Sequence, residues 1–408
     1  MSRTTRVIWG GWPNAMLWML VIGIFIQISG KVWIVSGSGR NTQVYLWLLL
    51  PVFIYLLCKI FMREWPRLDF QYAPWALFLG WVALSVFWSS DAEGDVFSLA
   101  KRGAFIGFYL IAIHLLMSRN EKLLYRAVMA AVFVVFLGAL ASLVYQYGVL
   151  NRPLEYRAFR IYRMGIADFA NYGWPVAAGI FNGSIALWAL GVSLDRRTNY
   201  NVALLWLLVF AVLAVYVLMT GTRGAWFALL GGGVVSVLLQ KTKRGVFGLL
   251  FCSLLLIVVT IVFWDQVVFE FEKRQLSGRS GIWEYYFKVM SGHWAFGHGL
   301  GTPFVYLWPD GKSISPHAHS LYLQQVYDSG LVSLGLMLAG LVGVFYKVWM
   351  IRDNFWVRLT FPVLVFALIA MLTDVERIFT RPGDYWTVFW LPVAILLAVP
   401  TVDHTKKN

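Results

Sequence analysis

Apolar stretches of about twenty residues recur along the whole chain, parted by short polar connectors. A hydropathy reading places them at roughly 12–29, 44–62, 70–88, 102–117, 123–148, 171–192, 201–219, 224–240, 246–264, 320–347, 355–373 and 384–400. The pattern predicts an all-α polytopic membrane protein of about 12 transmembrane helices. It forms a single transmembrane domain over 1–408. One connector, 265–319, is much longer than the others. It is too short for an independent domain and long enough for a structured cap. Gly231, Gly232 and Gly233 lie within the eighth span and let neighbouring helices approach closely. There is no internal repeat and no low-complexity tract.

Composition agrees. Of 408 residues, 60% are hydrophobic and 13% charged. A soluble fold of this size could not bury so much apolar surface, and the same excess excludes disorder. A net charge of +14 would suggest nucleic acid in a soluble protein. Here the cations lie between apolar spans, so they read as topology and anionic lipid, with no nucleic-acid partner. Cys58 and Cys252 fall inside spans and read as small hydrophobes. Arg3 and Arg6 precede the first apolar run, which lacks a small-residue cleavage site and reads as an uncleaved first span.

Twelve spans put both termini on one side. One set of connectors carries Lys59, Arg63 and Arg67; Arg119, Lys122 and Arg126; Arg196 and Arg197; Lys241, Lys243 and Arg244; Lys347, Arg352 and Arg358. With Arg3, Arg6, Lys406 and Lys407 it holds 18 of the 34 cations but 6 of the 20 acids. By the positive-inside rule this set and both termini are cytoplasmic. The other side has cations that topology would prefer inside: Arg152, Arg157, Arg160 and Arg163 in one loop, Arg223 at a span mouth, and Lys273, Arg274, Arg279, Lys288 and Lys312 in the longest loop. Binding an anionic ligand accounts for them. Solvated loop charge paired with Glu155, Asp168, Glu270 and Glu272 is the alternative.

Within the long loop, Trp283, Phe287, Met290 and Trp294 recur at helical spacing. They predict an amphipathic helix from about Ser280 to Met290 whose face lies in the bilayer interface. Ser277-Gly278 starts it and Gly292 stops it. Gly297, Gly299 and Gly301 make a tight turn without the strand and spacing of a dinucleotide loop. Pro303, Pro309, Gly311 and Pro316 mark irregular backbone leading to Pro316-His317-Ala318-His319-Ser320. A histidine at a membrane mouth beside a cationic loop suits a general base; a hydrogen-bonded structural histidine is the plainer reading. His317 and His319 could instead begin a metal site, with His293, His298 and Asp310 as the nearby third ligands. The run Thr220-Gly221-Thr222-Arg223-Gly224-Ala225 opens the eighth span. Arg223 there either snorkels or offers a guanidinium fork to a phosphate.

Taken in order, Gly221-Thr222-Arg223-Gly224, then Arg279 with Trp283, the Gly297–Gly301 turn, and His319-Ser320 with Gly330 resemble the O-antigen ligase/polymerase superfamily. A histidine, then Asn, Ser or Gln, then nine residues, then glycine is typical of its O-antigen ligases; His319, Ser320 and Gly330 meet it. Ser333 departs from the small Gly or Thr often found three residues further on. The resemblance is close over about 218–345; the first half matches in hydropathy and span count.

The resemblance implies a metal-independent, cofactor-free glycosyltransferase of the GT-C class. It would move O-antigen from undecaprenyl pyrophosphate to lipid A–core oligosaccharide, with inversion, in a bacterial inner membrane with a periplasmic site. His319 becomes the general base, and Arg223 and Arg279 hold the pyrophosphate. Arg102, Arg152, Arg157, Arg160, Arg163 and His317 are the substrate-binding candidates, and membrane lipids are further partners. Rival readings are an O-antigen polymerase, a protein O-oligosaccharyltransferase, a lipid-linked glycan transporter and a membrane scaffold. A transporter should show ionisable groups near the midplane. The charges are read at the outer mouths, with His114 the main polar exception, packed or hydrogen-bonded.

Overall fold

The computed structural model describes residues 3–64, 69–246, 248, 261, 264–269, 272, 278–375 and 377–401. Its helices are α1 (Arg3–Trp33), α2 (Gly37–Val44), α3 (Leu50–Phe61), α4 (Ala73–Ser85), α5 (Val96–Leu143), α6 (Pro175–Leu194), α7 (Tyr200–Met219) and α8 (Arg223–Gln240). A short turn, α9 (Trp264–Val268), precedes α10 (Arg279–Val289), α11 (Leu321–Met350), α12 (Phe355–Ala370) and α13 (Leu391–Ala398). Strands β1 (Tyr306–Leu307) and β2 (Ile314–Ser315) pair antiparallel, Tyr306 opposite Ser315. The Asp310 carboxylate closes their turn by accepting from the Lys312 and Ser313 amides at 2.9 Å. That hairpin orders part of a segment expected to be irregular.

Among the described residues, eight helical stretches are long and apolar enough to cross a bilayer. The longest, Val96–Val149, breaks at Asn120, whose backbone is extended (φ −159°, ψ 82°). Asn120 Oδ1 accepts from the Leu123 amide at 3.1 Å, so one residue ends the fourth expected span and caps the fifth. Two shorter apolar helices, Phe355–Ala370 and Trp386–Ala398, take the places of the last two spans. The ninth, 246–264, lies almost wholly outside the described residues, as do Arg67, Lys273, Arg274, Lys406 and Lys407.

The protein is therefore an all-α polytopic membrane protein, and its bundle closes through small residues. In α6 every residue from Ala177 to Leu194 is buried. A Cβ on Gly183 would come 2.6 Å from the Phe366 ring. Gly231 and Gly232 lie against Ile369 and Leu187, as the triple glycine predicts. Trp75 stacks edge-on with Phe389 and Trp390 at 6.0 and 5.5 Å. His114 bonds the Tyr72 hydroxyl at 3.0 Å, in line with its packed reading. Lys347, assigned to a connector, is instead buried in the bundle and donates to the Leu397 carbonyl at 2.7 Å.

The hydrogen bonds sort the connectors into the two sets that the charge count separates. At one end Arg157 reaches Gly221, Lys31 pairs with Asp384, and Glu93 bonds Gly301. At the other, Arg196 reaches the Lys241 carbonyl and the Trp356 indole donates to Glu121.

The long loop is tied to α11 by a break in that helix. Gly330 has φ 73° and ψ 178°, and a Cβ there would strike the Ala295 carbonyl. The carbonyls of Trp294 and Ala295 accept from the Leu331 and Val332 amides at 2.8 and 3.4 Å. The His298 amide returns a bond to the Tyr327 carbonyl at 2.7 Å. The loop thus satisfies backbone groups that the broken helix leaves open, which membrane depth requires. Only glycine fits. Gly330→Ala is expected to cost about 2–5 kcal/mol through left-handed strain and overpacking. Thermal unfolding in detergent should show a clear drop; an unchanged transition would mean that the break does not depend on glycine.

Candidate active site

His319 lies in a five-residue loop anchored on three sides. The Ala318 carbonyl accepts from the Trp283 indole of α10 at 3.0 Å. The Ala318 amide donates to Gln324 Oε1 at 3.0 Å. The Leu321 amide donates to the Met371 carbonyl at 3.0 Å. Between these anchors His319 adopts φ 52°, a left-handed conformation uncommon outside glycine. Its ring meets that of His317 nearly perpendicularly, centroids 4.2 Å apart.

The helix expected from about Ser280 to Met290 is present as α10, which begins at Arg279. The face it packs against protein is Ile282, Tyr286 and Met290, which join Phe304, Ala318, Val326 and Tyr327 in a small second core. Met290, expected on the bilayer-facing side, is thus buried in protein, while Phe287 stays exposed. This packing fixes α10 beside the histidine loop.

Two arginine–aspartate pairs underlie the two histidines. Arg279 pairs with Asp374, which also accepts from the Thr373 hydroxyl at 2.9 Å. Arg377 holds Asp328 through two bonds, Nε to Oδ2 at 2.6 Å and Nη2 to Oδ1 at 3.1 Å. Gln324 Nε2 donates to Asp328 Oδ1 at 3.0 Å. A continuous chain therefore runs from Arg377 through Asp328 and Gln324 to the backbone between the histidines.

Electrostatics follow from this arrangement. Burial first, then Arg279, holds His319 below the ordinary histidine value, and Asp374 opposes them. Burial, His319 and Arg377 push His317 down to about 4. Both effects favour the neutral rings, which can accept a proton or a hydrogen bond.

The other expected arginines divide. Arg223 opens α8, and its neighbour Gly224 lies against Thr373 and Asp374. A Cβ on Gly224 would come 2.8 Å from the Thr373 hydroxyl, so a larger residue there would have to displace the Thr373 and Asp374 side chains. Arg160 donates to the Thr220 carbonyl at 2.7 Å and to the Thr222 hydroxyl at 3.3 Å, and Arg157 to the Gly221 carbonyl at 3.2 Å. These two clamp the turn that presents Arg223. Arg102 lies in the field of Arg377, Arg381 and Asp328. Arg152 and Arg163 are exposed and stack on Phe159 and Tyr162 of their own loop, at 5.1 and 5.2 Å. The structure does not bring them to the histidines.

Asp374, Asp328, Arg377 and Gln324 belong to the site although sequence reasoning passed over them. A signal existed for Asp328: a carboxylate inside an apolar span must be paired. It adds a buried charge to the reading that charges gather at the outer mouths with His114 the main polar exception, since Asp328 is buried within α11.

Residues 208–338 match the model of a family described as O-antigen ligase. The match runs from α7 through His319 to beyond Gly330. The O-antigen ligase of Pseudomonas aeruginosa is 25% identical over 388 residues, spanning 94% of this chain and 90% of that relative. The chain resembles an O-antigen ligase. The matched region includes Arg223, Arg279 and His319. The partners Asp374 and Arg377 come from beyond it, in the loop after α12.

Removing Asp328 would take from Arg377 the carboxylate that holds it through two bonds; Glu93 lies 3.9 Å away. Asp328→Leu is expected to cost about 3–5 kcal/mol, and adding Arg377→Met should recover most of it. Thermal unfolding of the single and double variants checks this. Equal losses would show that the pair is not what the region depends on.

Proposed function

We propose that this protein moves O-antigen polysaccharide from undecaprenyl pyrophosphate to lipid A–core oligosaccharide. The likeness to O-antigen ligases supports O-antigen ligation by a glycosyl-transferring membrane enzyme. One observation carries the finer reading: His319 is partly buried beside Arg279, and burial and that guanidinium together favour its neutral form.

In this reading the acceptor hydroxyl attacks the anomeric carbon of the donor sugar. His319 takes the hydroxyl proton as the new C–O bond forms. The bond from the anomeric carbon to the pyrophosphate oxygen breaks, and its electron pair leaves with undecaprenyl pyrophosphate. Negative charge gathers on that oxygen, where Arg279 and Arg223 stabilise it. Asp374 holds Arg279 in place. Arg157 and Arg160 support the Arg223 turn, and Arg102 adds to the field. Attack from the face opposite the leaving group inverts the anomeric centre. The donor is already activated, so neither nucleotide nor metal enters the scheme. The positive-inside rule supports a periplasmic site in a bacterial inner membrane, with both termini cytoplasmic.

His319→Ala should lower transfer about 10²–10⁴-fold, the usual worth of general-base catalysis, while lipid-linked donor still binds. His317→Ala should be milder. Arg279→Ala and Arg223→Ala should abolish transfer, and the Lys variants should restore part, lacking the bidentate fork. Purified variants assayed in detergent, with donor binding measured alongside, decide. Near wild-type transfer by His319→Ala overturns the base assignment.

The pH profile has a defined sign. A lowered histidine stays neutral until pH falls below the ordinary value of 6.5, so transfer should be level through neutrality and decline only below it. A limb centred above 6.5 would contradict the burial and Arg279 effects. EDTA should leave transfer intact; loss on chelation, restored by Zn²⁺ or Mg²⁺, would move His317 and His319 to a metal. In a strain lacking the chain, loss of the O-antigen ladder with retained lipid-linked polymer means ligase, and a single-repeat cap means polymerase.

A further inference from the structure

At the end of the bundle away from His319 a cavity of about 350 Å³ opens beside the Asn120 break. Lys122, Arg126 and Arg197 line it, with Tyr125, Phe355 and Trp356 as aromatic walls. Two acids also border it, but both are engaged by protein. Glu121 accepts from the Trp356 indole at 3.1 Å. Asp195 is buried, accepts from the Arg197 amide at 3.0 Å and has Arg358 4.0 Å away. The three lining cations are exposed.

A second, apolar groove of about 250 Å³ shares a lining residue with it. Trp18, Ile22 and Phe25 of α1 form one wall, and Leu123, Ala127 and Ala130 of α5 form the other. Both sets recur at three- and four-residue spacing, so each wall is one helix face. Arg126 lines the cavity and the groove alike. The groove runs up α5 from the connector into the span, toward the membrane interior.

A cationic chamber at a helix end, joined through one arginine to an apolar slot along the same helix, has the shape and charge of an amphiphile. We infer that it binds an anionic glycerophospholipid, with the phosphodiester among Lys122, Arg126 and Arg197 and an acyl chain between α1 and α5. Basic chambers between transmembrane helices on the cytoplasmic side suit such headgroups. A soluble anion would use the chamber and ignore the slot; a neutral lipid would use the slot and ignore the cations. The bound lipid joins α1, α5, α6 and α12 at their common end. This site is separate from the glycosyl-transfer reading, and neither depends on the other.

The test uses the full-length protein, purified in detergent and stripped of lipid. Dioleoylphosphatidylglycerol should raise its unfolding temperature and remain bound in native mass spectrometry. Dioleoylphosphatidylcholine and inorganic phosphate should do neither. Each cation near an anionic lipid surface contributes roughly a factor of five in affinity. Lys122→Gln with Arg126→Gln should therefore weaken phosphatidylglycerol binding roughly twenty-five-fold. Ala130→Trp, which fills the slot and leaves the cations alone, should also lose the lipid. Gel filtration confirms that each variant is folded. Equal response to phosphatidylcholine would overturn the headgroup assignment. Stabilisation by phosphate alone would make the chamber a free-anion site. Unchanged binding in both variants would place the lipid elsewhere.

Discussion

The bidentate pair between Arg377 and Asp328 organises the candidate site. A carboxylate inside a membrane helix is costly unless a cation meets it, and removing either partner strands the other charge. Asp328 sits within α11, and Arg377 reaches it from the loop after α12. The same carboxylate takes a bond from Gln324, which holds the backbone between the histidines. The geometry of His317 and His319 thus rests on a charge pair that the bundle cannot leave unmade.

Around that pair the charges serve two ends through one field. Arginines concentrated at a partly buried site favour an anionic ligand. The same positive field disfavours protonation of nearby histidines, adding to the effect of burial. A neutral base beside an anion-holding arginine is a natural consequence of that electrostatics, with no need for a dedicated partner to remove the histidine proton.

The backbone around the site is irregular, and each irregularity has a compensating bond. The helix break at Gly330 is filled by the Trp294 and Ala295 carbonyls, and the left-handed His319 is bracketed by the Trp283 and Leu321 bonds. In a bilayer, backbone groups without partners are too costly to keep. Non-helical chain persists at membrane depth here because the long loop and α11 satisfy each other.

Much of this was legible in the sequence. Span length and hydropathy depend on local composition, so the described helices fall where the apolar runs place them, down to the break at Asn120. Arg223, Arg279 and His319 could be singled out because the order of their motifs resembles that of a known family. Gly231 and Gly232 showed their packing role because a residue without a side chain has few other uses in a helix. The tertiary structure decided the pairings. Arg279 meets Asp374 across 95 residues, and Arg377 meets Asp328 across 49. It also separated Arg157 and Arg160, which turn inward, from Arg152 and Arg163, which stack on their own loop, although all four share one stretch of chain. The physical reason is that hydropathy and helix capping are properties of neighbours in sequence, whereas charge pairing and the burial that tunes a histidine depend on which distant segments the bundle brings together.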